Sequence, residues 1–227
     1  MQKNITIFLV LASAVAAILL YYSPANRVER NYATMKQEGR LDLAVLEAYI
    51  QLHEPLDDVE YNRALNQASM LDDRYLQKVV ERYSKGSFIL FADTAERILS
   101  KLPSESVELN LVAGRIYETE EFGLQNLQKA ARFLSYAALR GNDASAKHLA
   151  NVYLKSNCPV EAATWASVVN ANEDASACER MPIDVNRFSE KEWNSVLVNS
   201  DRLLQARASG EVVYIEFQTD CPLNNKS

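Results

Sequence analysis

Two stretches of the chain, Val107 to Asn142 and Asp143 to Asp174, repeat one pattern, and this internal period narrows the possible folds more than any other feature. Laid over one another they place Tyr117 on Tyr153 at an offset of 36. Beyond a shorter loop, Ala131, Phe133 and Ser135 fall on Ala163, Trp165 and Ser167 at an offset of 32. Asn142-Asp143-Ala144-Ser145-Ala146 returns as Glu173-Asp174-Ala175-Ser176-Ala177 at an offset of 31, which opens a third unit. Each unit is one helix pair, which cannot bury its own apolar face and must stack on a neighbour. Small residues at Gly114, Ala131, Ala137, Ala150, Ala163 and Ala166 let helices approach closely. The aromatics Tyr117, Phe133, Tyr153 and Trp165 then read as packing between pairs, not as a ligand box.

Apolar residues recur at helical spacing through most of the remaining chain. Helices are expected at about 27–38, 41–53, 57–70, 72–84 and 87–102, stopped at Gly39, Glu54-Pro55, Asp72-Asp73, Gly86 and Pro103. A second group covers about 106–121, 127–140, 143–156, 159–171 and 174–180. Ser189 with Glu192 forms a capping box that opens a helix over about 190–208, closed by Ser209-Gly210. Trp193, Val196, Leu197, Leu203 and Leu204 share one side of this helix, which is expected to cap the array. Composition agrees: 28 Ala and 27 Leu stand against six Gly and six Pro, too few turn residues for a sandwich or a doubly wound sheet. Only Glu211 to Phe217 has strong strand propensity, and it is expected as an extended segment along its own domain or as a strand added to a partner's sheet. The expected fold is all-α, a solenoid of antiparallel helix pairs with an N-terminal hydrophobic helix and a short C-terminal extended segment. Its divisions fall at 1–25, 26–104, 105–180 and 181–227.

Leu111-Val112-Ala113-Gly114-Arg115-Ile116-Tyr117 resembles the first-helix signature of the Sel-one-like repeats, a branch of the tetratricopeptide superfamily. Lys129 to Ala138 (KAARFLSYAA) resembles the second-helix signature, Gly141-Asn142 with Ala146 the junction, and Leu149-Ala150-Asn151-Val152-Tyr153 the first signature again. The resemblance covers about residues 107–177 and departs from the family at the short Cys158-Pro159 loop and at Asn170 to Glu173. It implies an α-solenoid that binds proteins and has no chemistry of its own. Bacterial members of the family often serve in envelope assembly, polysaccharide export or signalling. Within it, Arg115, Glu118, Lys147, Asn151 and Lys155 are the polar first-helix positions expected to face a protein partner.

Ile5 to Tyr22 is a run of 18 residues without a charged side chain, spanning roughly 27 Å as a helix, near the thickness of a bilayer's hydrocarbon core. With Tyr21 and Tyr22 at its end it reads as an uncleaved single-pass anchor. The alternative is a signal peptide cut at the small residues Ser23-Pro24-Ala25, near Ala25. Arg27, Arg30, Lys36 and Arg40 outnumber Lys3 across the segment and argue for an inward body, while the short charged tail before a hydrophobic segment argues for export. The expected location is the inner membrane with the body in the periplasm, or the periplasm after cleavage. The three cysteines match no metal pattern: either Cys158 and Cys178 bridge with Cys221 left over, or two are small buried residues and one is a loose thiol.

No catalytic, cofactor or metal site is expected. His53 and His148 have no second ligand at helical spacing, and no nucleophile motif is present. The acidic groups Asp57-Asp58, Asp72-Asp73 and Glu118 to Glu121 sit at helix starts or ends, where capping accounts for them. A charge of −6, from 24 basic and 30 acidic residues, excludes a phosphate backbone as the natural partner. No small-molecule substrate is expected. The functional expectation is a non-enzymatic protein-binding scaffold of the cell envelope. Its rival is a structural subunit of a secretion, pilus or polysaccharide-export machine, and an envelope hydrolase stands behind both.

Overall fold

The computed structural model describes residues 23–54, 58–86, 88–170, 183, 187–210 and 221–224. Among these residues it is all-helical, in two compact units that run to Leu90 and onward from Phe91. The first holds α1 (Pro24–Gln37), α2 (Leu43–His53), α3 (Val59–Leu71) and α4 (Asp73–Ser84). The second holds α5 (Ala92–Ser100), α6 (Val107–Glu118), α7 (Leu127–Leu139), α8 (Asp143–Lys155), α9 (Pro159–Asn170) and α10 (Glu190–Ser209), followed by a short 3-10 turn at Pro222–Asn224.

Short polar side chains start most of these helices by accepting an orphan backbone N–H of the first turn. Asp42 accepts from Val45, Asp58 from Tyr61 and Asp72 from Arg74. Ser106, Asn126 and Asn142 do the same for Leu109, Lys129 and Ser145. Capping therefore explains Asp58 and Asp72, as the sequence suggests. The box at Ser189 and Glu192 forms in both directions, and Gly210 closes α10 with a left-handed φ of 73°. The main departure lies at 87–102, where the helix begins only at Ala92. Phe88 and Leu90 are buried while Ile89 is 48% exposed, so this stretch is extended with alternate side chains inward. Asn66 Nδ2 holds it by donating to the Ile89 carbonyl at 3.0 Å.

In the first unit each helix packs on the next, over a core of Leu46, Ile50, Leu65, Val79 and a set of tyrosines. Tyr32 stacks on Tyr49 with ring centroids 3.9 Å apart. Glu60 ties α3 back to α1, accepting from the Tyr32 hydroxyl at 2.7 Å and from Lys36 at 2.5 Å.

The second unit repeats that succession from α5 to α10, and α6 also packs on α8, two helices further on. The arrangement is consistent with a helical solenoid. Its core is rich in alanine: Ala130, Ala131, Ala137, Ala138, Ala146, Ala150, Ala162 and Ala166 surround Leu111, Leu134, Leu149, Tyr153 and Trp165. Small side chains shorten the distance between helix axes, so backbones meet where a larger core would hold them apart. At Gly114 the approach is closest, since a Cβ there would lie 2.4 Å from Leu134 Cγ and 3.3 Å from the Leu134 backbone nitrogen. Tyr153 and Trp165 are buried, whereas Tyr117 and Phe133 are half-buried and stack on each other at 5.8 Å. Helix α9 lies between α8 and α10 and is buried nearly all round, including Glu161 and Thr164. Against it α10 sets Val196 and Leu203, while Trp193 and Leu197 of the expected apolar side are exposed.

Cys158, at the α8–α9 junction, forms a disulfide with Cys221, 63 residues on. This corrects the suggested pairing with Cys178 and shows that Cys221 is not the odd thiol. Cys178, the expected helix at 174–180, the extended segment at 211–217 and the hydrophobic run at 1–22 lie outside the described residues. No helix among the described residues is long and apolar enough to cross a membrane.

Two predictions follow from this packing. Gly114→Ala gains about 1 kcal/mol of helix propensity but overpacks a fully buried leucine, at about 1–3 kcal/mol, so denaturant unfolding should show a net loss of stability. A more stable variant would disprove the close approach. Cys221→Ser opens a 63-residue covalent loop, and its unfolding midpoint should fall by an amount equivalent to about 2–4 kcal/mol, with no further fall on adding reductant.

Candidate functional site

Successive first helices in the second unit, α6 and α8, meet at a polar cluster. Glu118 ends α6 because Thr119 leaves helical geometry, and its side chain turns inward, only 10% exposed. Carboxylate Oε2 lies 2.6 Å from His148 Nδ1, and Oε1 lies 3.3 Å from Lys155 Nζ. His148 and Lys155 stand seven residues apart on α8, which puts them on one stripe of the helix. Lys155 and the Gln125 side chain both donate to the Glu118 carbonyl as well, each at 3.3 Å. The Glu118 carbonyl at the end of α6 is thus satisfied by side chains from the following loop and from α8.

Burial alone pushes the Glu118 carboxyl upward, since a charge loses its water there. The hydrogen bond from His148 and the nearby His148 and Lys155 charges outweigh that effect and hold the group below the usual carboxylate range. An ionised Glu118 has only acceptors to offer, so His148 Nδ1 carries the proton between them.

An open hollow of about 510 Å³ borders the cluster, lined by Glu118, Thr119, Glu120, Gln125, Leu127 and Lys155. Both Glu118 oxygens are engaged at the edge of this hollow, one by His148 and one by Lys155. Lys129 lies over the ring of Tyr117 at 5.1 Å on the adjoining α7.

Of the five positions singled out in the sequence, the structure brings together Glu118 and Lys155 directly. Lys155 and Asn151 are exposed on α8, and Lys147 and Arg115 are half-buried on α8 and α6. Glu118 is instead buried, so it organises this face from within. His148, read from sequence as an ordinary helix residue, is the partner that was missed. A signal for it existed in the repeat register. Lys155 follows Glu118 by 37 residues, one position past the offset that aligns Tyr117 with Tyr153, and His148 stands two turns before Lys155. A second grouping had no local signal: Cys158, Cys221 and Glu161 place their ligand atoms within 4.8 Å of one another, all three residues being buried.

Against protein-family models, curated proteins and solved structures alike, the chain gives no match.

The Glu118 cluster makes a prediction with a defined sign. Because the folded-state value is depressed, the stabilisation is present above the ordinary glutamate range and is lost as pH falls through the folded value. Glu118→Gln should therefore cost about 1–2 kcal/mol at neutral pH, and the gap from wild type should narrow on acidification, measured by denaturant unfolding across the acid range. A gap independent of pH would show that the carboxylate's charge contributes nothing.

Proposed function

We propose that the chain is a non-enzymatic scaffold of the bacterial cell envelope that holds a partner protein on the first-helix face of a helical-repeat array. The observation that carries this reading is the packing of α6 on α8, which lines up the first helices of successive pairs and sets Arg115, Lys147, Asn151 and Lys155 along them. Stacked pairs of this kind present extended concave surfaces. The similarity of residues 107–177 to Sel-one-like repeats supports the same assignment. The hydrolase alternative receives no support from the hollow beside Glu118, whose two oxygens are already held by His148 and Lys155.

The proposed location is the inner membrane, through the hydrophobic segment before Ser23, with the helical body in the periplasm. Retention of that segment is supported by the start of α1: Ser23 accepts from the Asn26 N–H and Pro24 occupies the first helical position. Cleavage near Ala25 would cut through this first turn. The rival reading, a structural subunit of a secretion, pilus or export machine, draws on Trp193, Leu197 and Val198, apolar side chains that α10 leaves exposed.

Affinity capture of the full chain from envelope fractions after mild crosslinking separates the two readings. The double variant Lys147→Glu, Asn151→Glu should lose at least about tenfold of the captured partner while its circular dichroism and melting temperature hold. Unchanged capture by a folded variant overturns the site. Replacing 211–217 with a Gly/Ser segment, which keeps Cys221, should leave capture intact; loss of assembly there would favour the subunit.

A further inference from the structure

The first unit carries a hollow of about 440 Å³ walled by α1 and α2. Val28 of α1 and Ala44, Val45 and Ala48 of α2 make part of that wall apolar. Arg27 and Asn31 line it from α1, four residues apart and so neighbours on one stripe of the helix. Both are exposed, and among the described residues neither the guanidinium nor the amide has a hydrogen-bond or ion-pair partner. Other charges of α1 are paired, Glu29 with His53 at 3.2 Å and Lys36 with Glu60 at 2.5 Å. Asp42, at the start of α2, brings the opposite charge to the hollow: its Oδ1 accepts from the Val45 N–H at 3.0 Å, which leaves Oδ2. Position limits what can enter. Ile5 to Tyr22 has no charged side chain, and α1 begins two residues later, at Pro24. Two extended residues span at most about 7 Å, and Arg27 lies about 4.5 Å further along the helix. A headgroup layer, half the difference between a bilayer of about 40–45 Å and its core of about 30 Å, is about 5–8 Å deep. On the reading that the hydrophobic run is kept in the membrane, on which this inference rests, Arg27 stands within about 12 Å of the hydrocarbon edge. Its long side chain then reaches lipid phosphates.

We propose that this hollow holds the headgroup of a zwitterionic aminophospholipid from the membrane that carries the hydrophobic run. The Arg27 fork takes the phosphate through paired N–H donors, and the Asn31 amide adds another. Asp42 takes the ammonium, while Val28, Ala44, Val45 and Ala48 cover the glycerol and the first methylenes of the chains. A purely anionic headgroup would meet Asp42 as a like charge, whereas a headgroup of both signs satisfies Arg27 and Asp42 together. A lipid held there ties α1 and α2 to the bilayer at a second point, beside the hydrophobic run.

The test uses the full chain in mild detergent, with native mass spectrometry counting bound lipid as phosphatidylethanolamine or phosphatidylglycerol of the same acyl chains is added. One phosphatidylethanolamine should bind per chain, at least about tenfold more tightly than phosphatidylglycerol. Arg27→Gln should weaken that binding at least about tenfold. Asp42→Asn keeps a good helix cap and should abolish the preference for the ethanolamine lipid. Far-UV circular dichroism and the melting temperature report whether each variant folds. Equal binding of the two lipids by the wild-type chain overturns the proposal, and so does a folded Arg27→Gln that binds like its parent. Free phosphoethanolamine, the headgroup without glycerol or chains, should bind at least about tenfold more weakly; equal affinity gives the hollow to a soluble phosphoamine. Loss of partner capture by Arg27→Gln with lipid binding unchanged gives it to a protein. Alkaline carbonate extraction of membranes reads the anchor separately. Release of the wild-type chain overturns the retained segment and the lipid source with it, whereas retention without lipid selectivity overturns the hollow alone.

Discussion

The second unit depends on how closely its helices approach, and that distance is set by residues with almost no side chain. Gly114 lets α6 lie against the backbone at Leu134 of α7, and the alanines of α7, α8 and α9 extend the same tight contact along the unit. Dispersion falls off steeply with separation, so a stack of thin side chains gains from proximity what it lacks in bulk. Only at that spacing does the end of α6 come within reach of α8, where Glu118 finds His148 and Lys155. The polar cluster is a consequence of the apolar packing beneath it.

The two units solve the burial problem with different materials. In the first, tyrosines fill the space, and Tyr32 stacks on Tyr49 while its hydroxyl donates to Glu60. Burial and that bond to an anion push the Tyr32 hydroxyl far above its usual range, so it stays a donor. In the second, alanine and glycine take the interior and the aromatics divide, Trp165 inside and the Tyr117–Phe133 stack near the surface.

Local rules were legible in the sequence wherever a single short-range interaction decides the outcome. Asp58 and Asp72 cap helices, Ser189 and Glu192 box the start of α10, and Gly210 ends it, each through contacts within a turn or two. The small residues at the repeat positions were legible for the same reason, because a period repeats one local solution. The stretch 88–91 is not the helix its sequence suggests: Phe88 and Leu90 carry the alternation of an extended segment, and a distant side chain, Asn66, holds that form at Ile89. The pairing of Cys158 with Cys221 lies further still beyond reach. It spans 63 residues and follows from where α10 returns the chain, which no spacing rule encodes.

That crosslink alters how the second unit can come apart. A linear stack of helix pairs ordinarily frays from both ends, because each terminal pair has only one neighbour to hold it. Here α9 and α10 lie inside a covalent ring closed at Cys158 and Cys221, so the C-terminal end cannot peel away and drift. Opening is left to the α5 end, and a peptide bond severed within the ring leaves a single connected molecule.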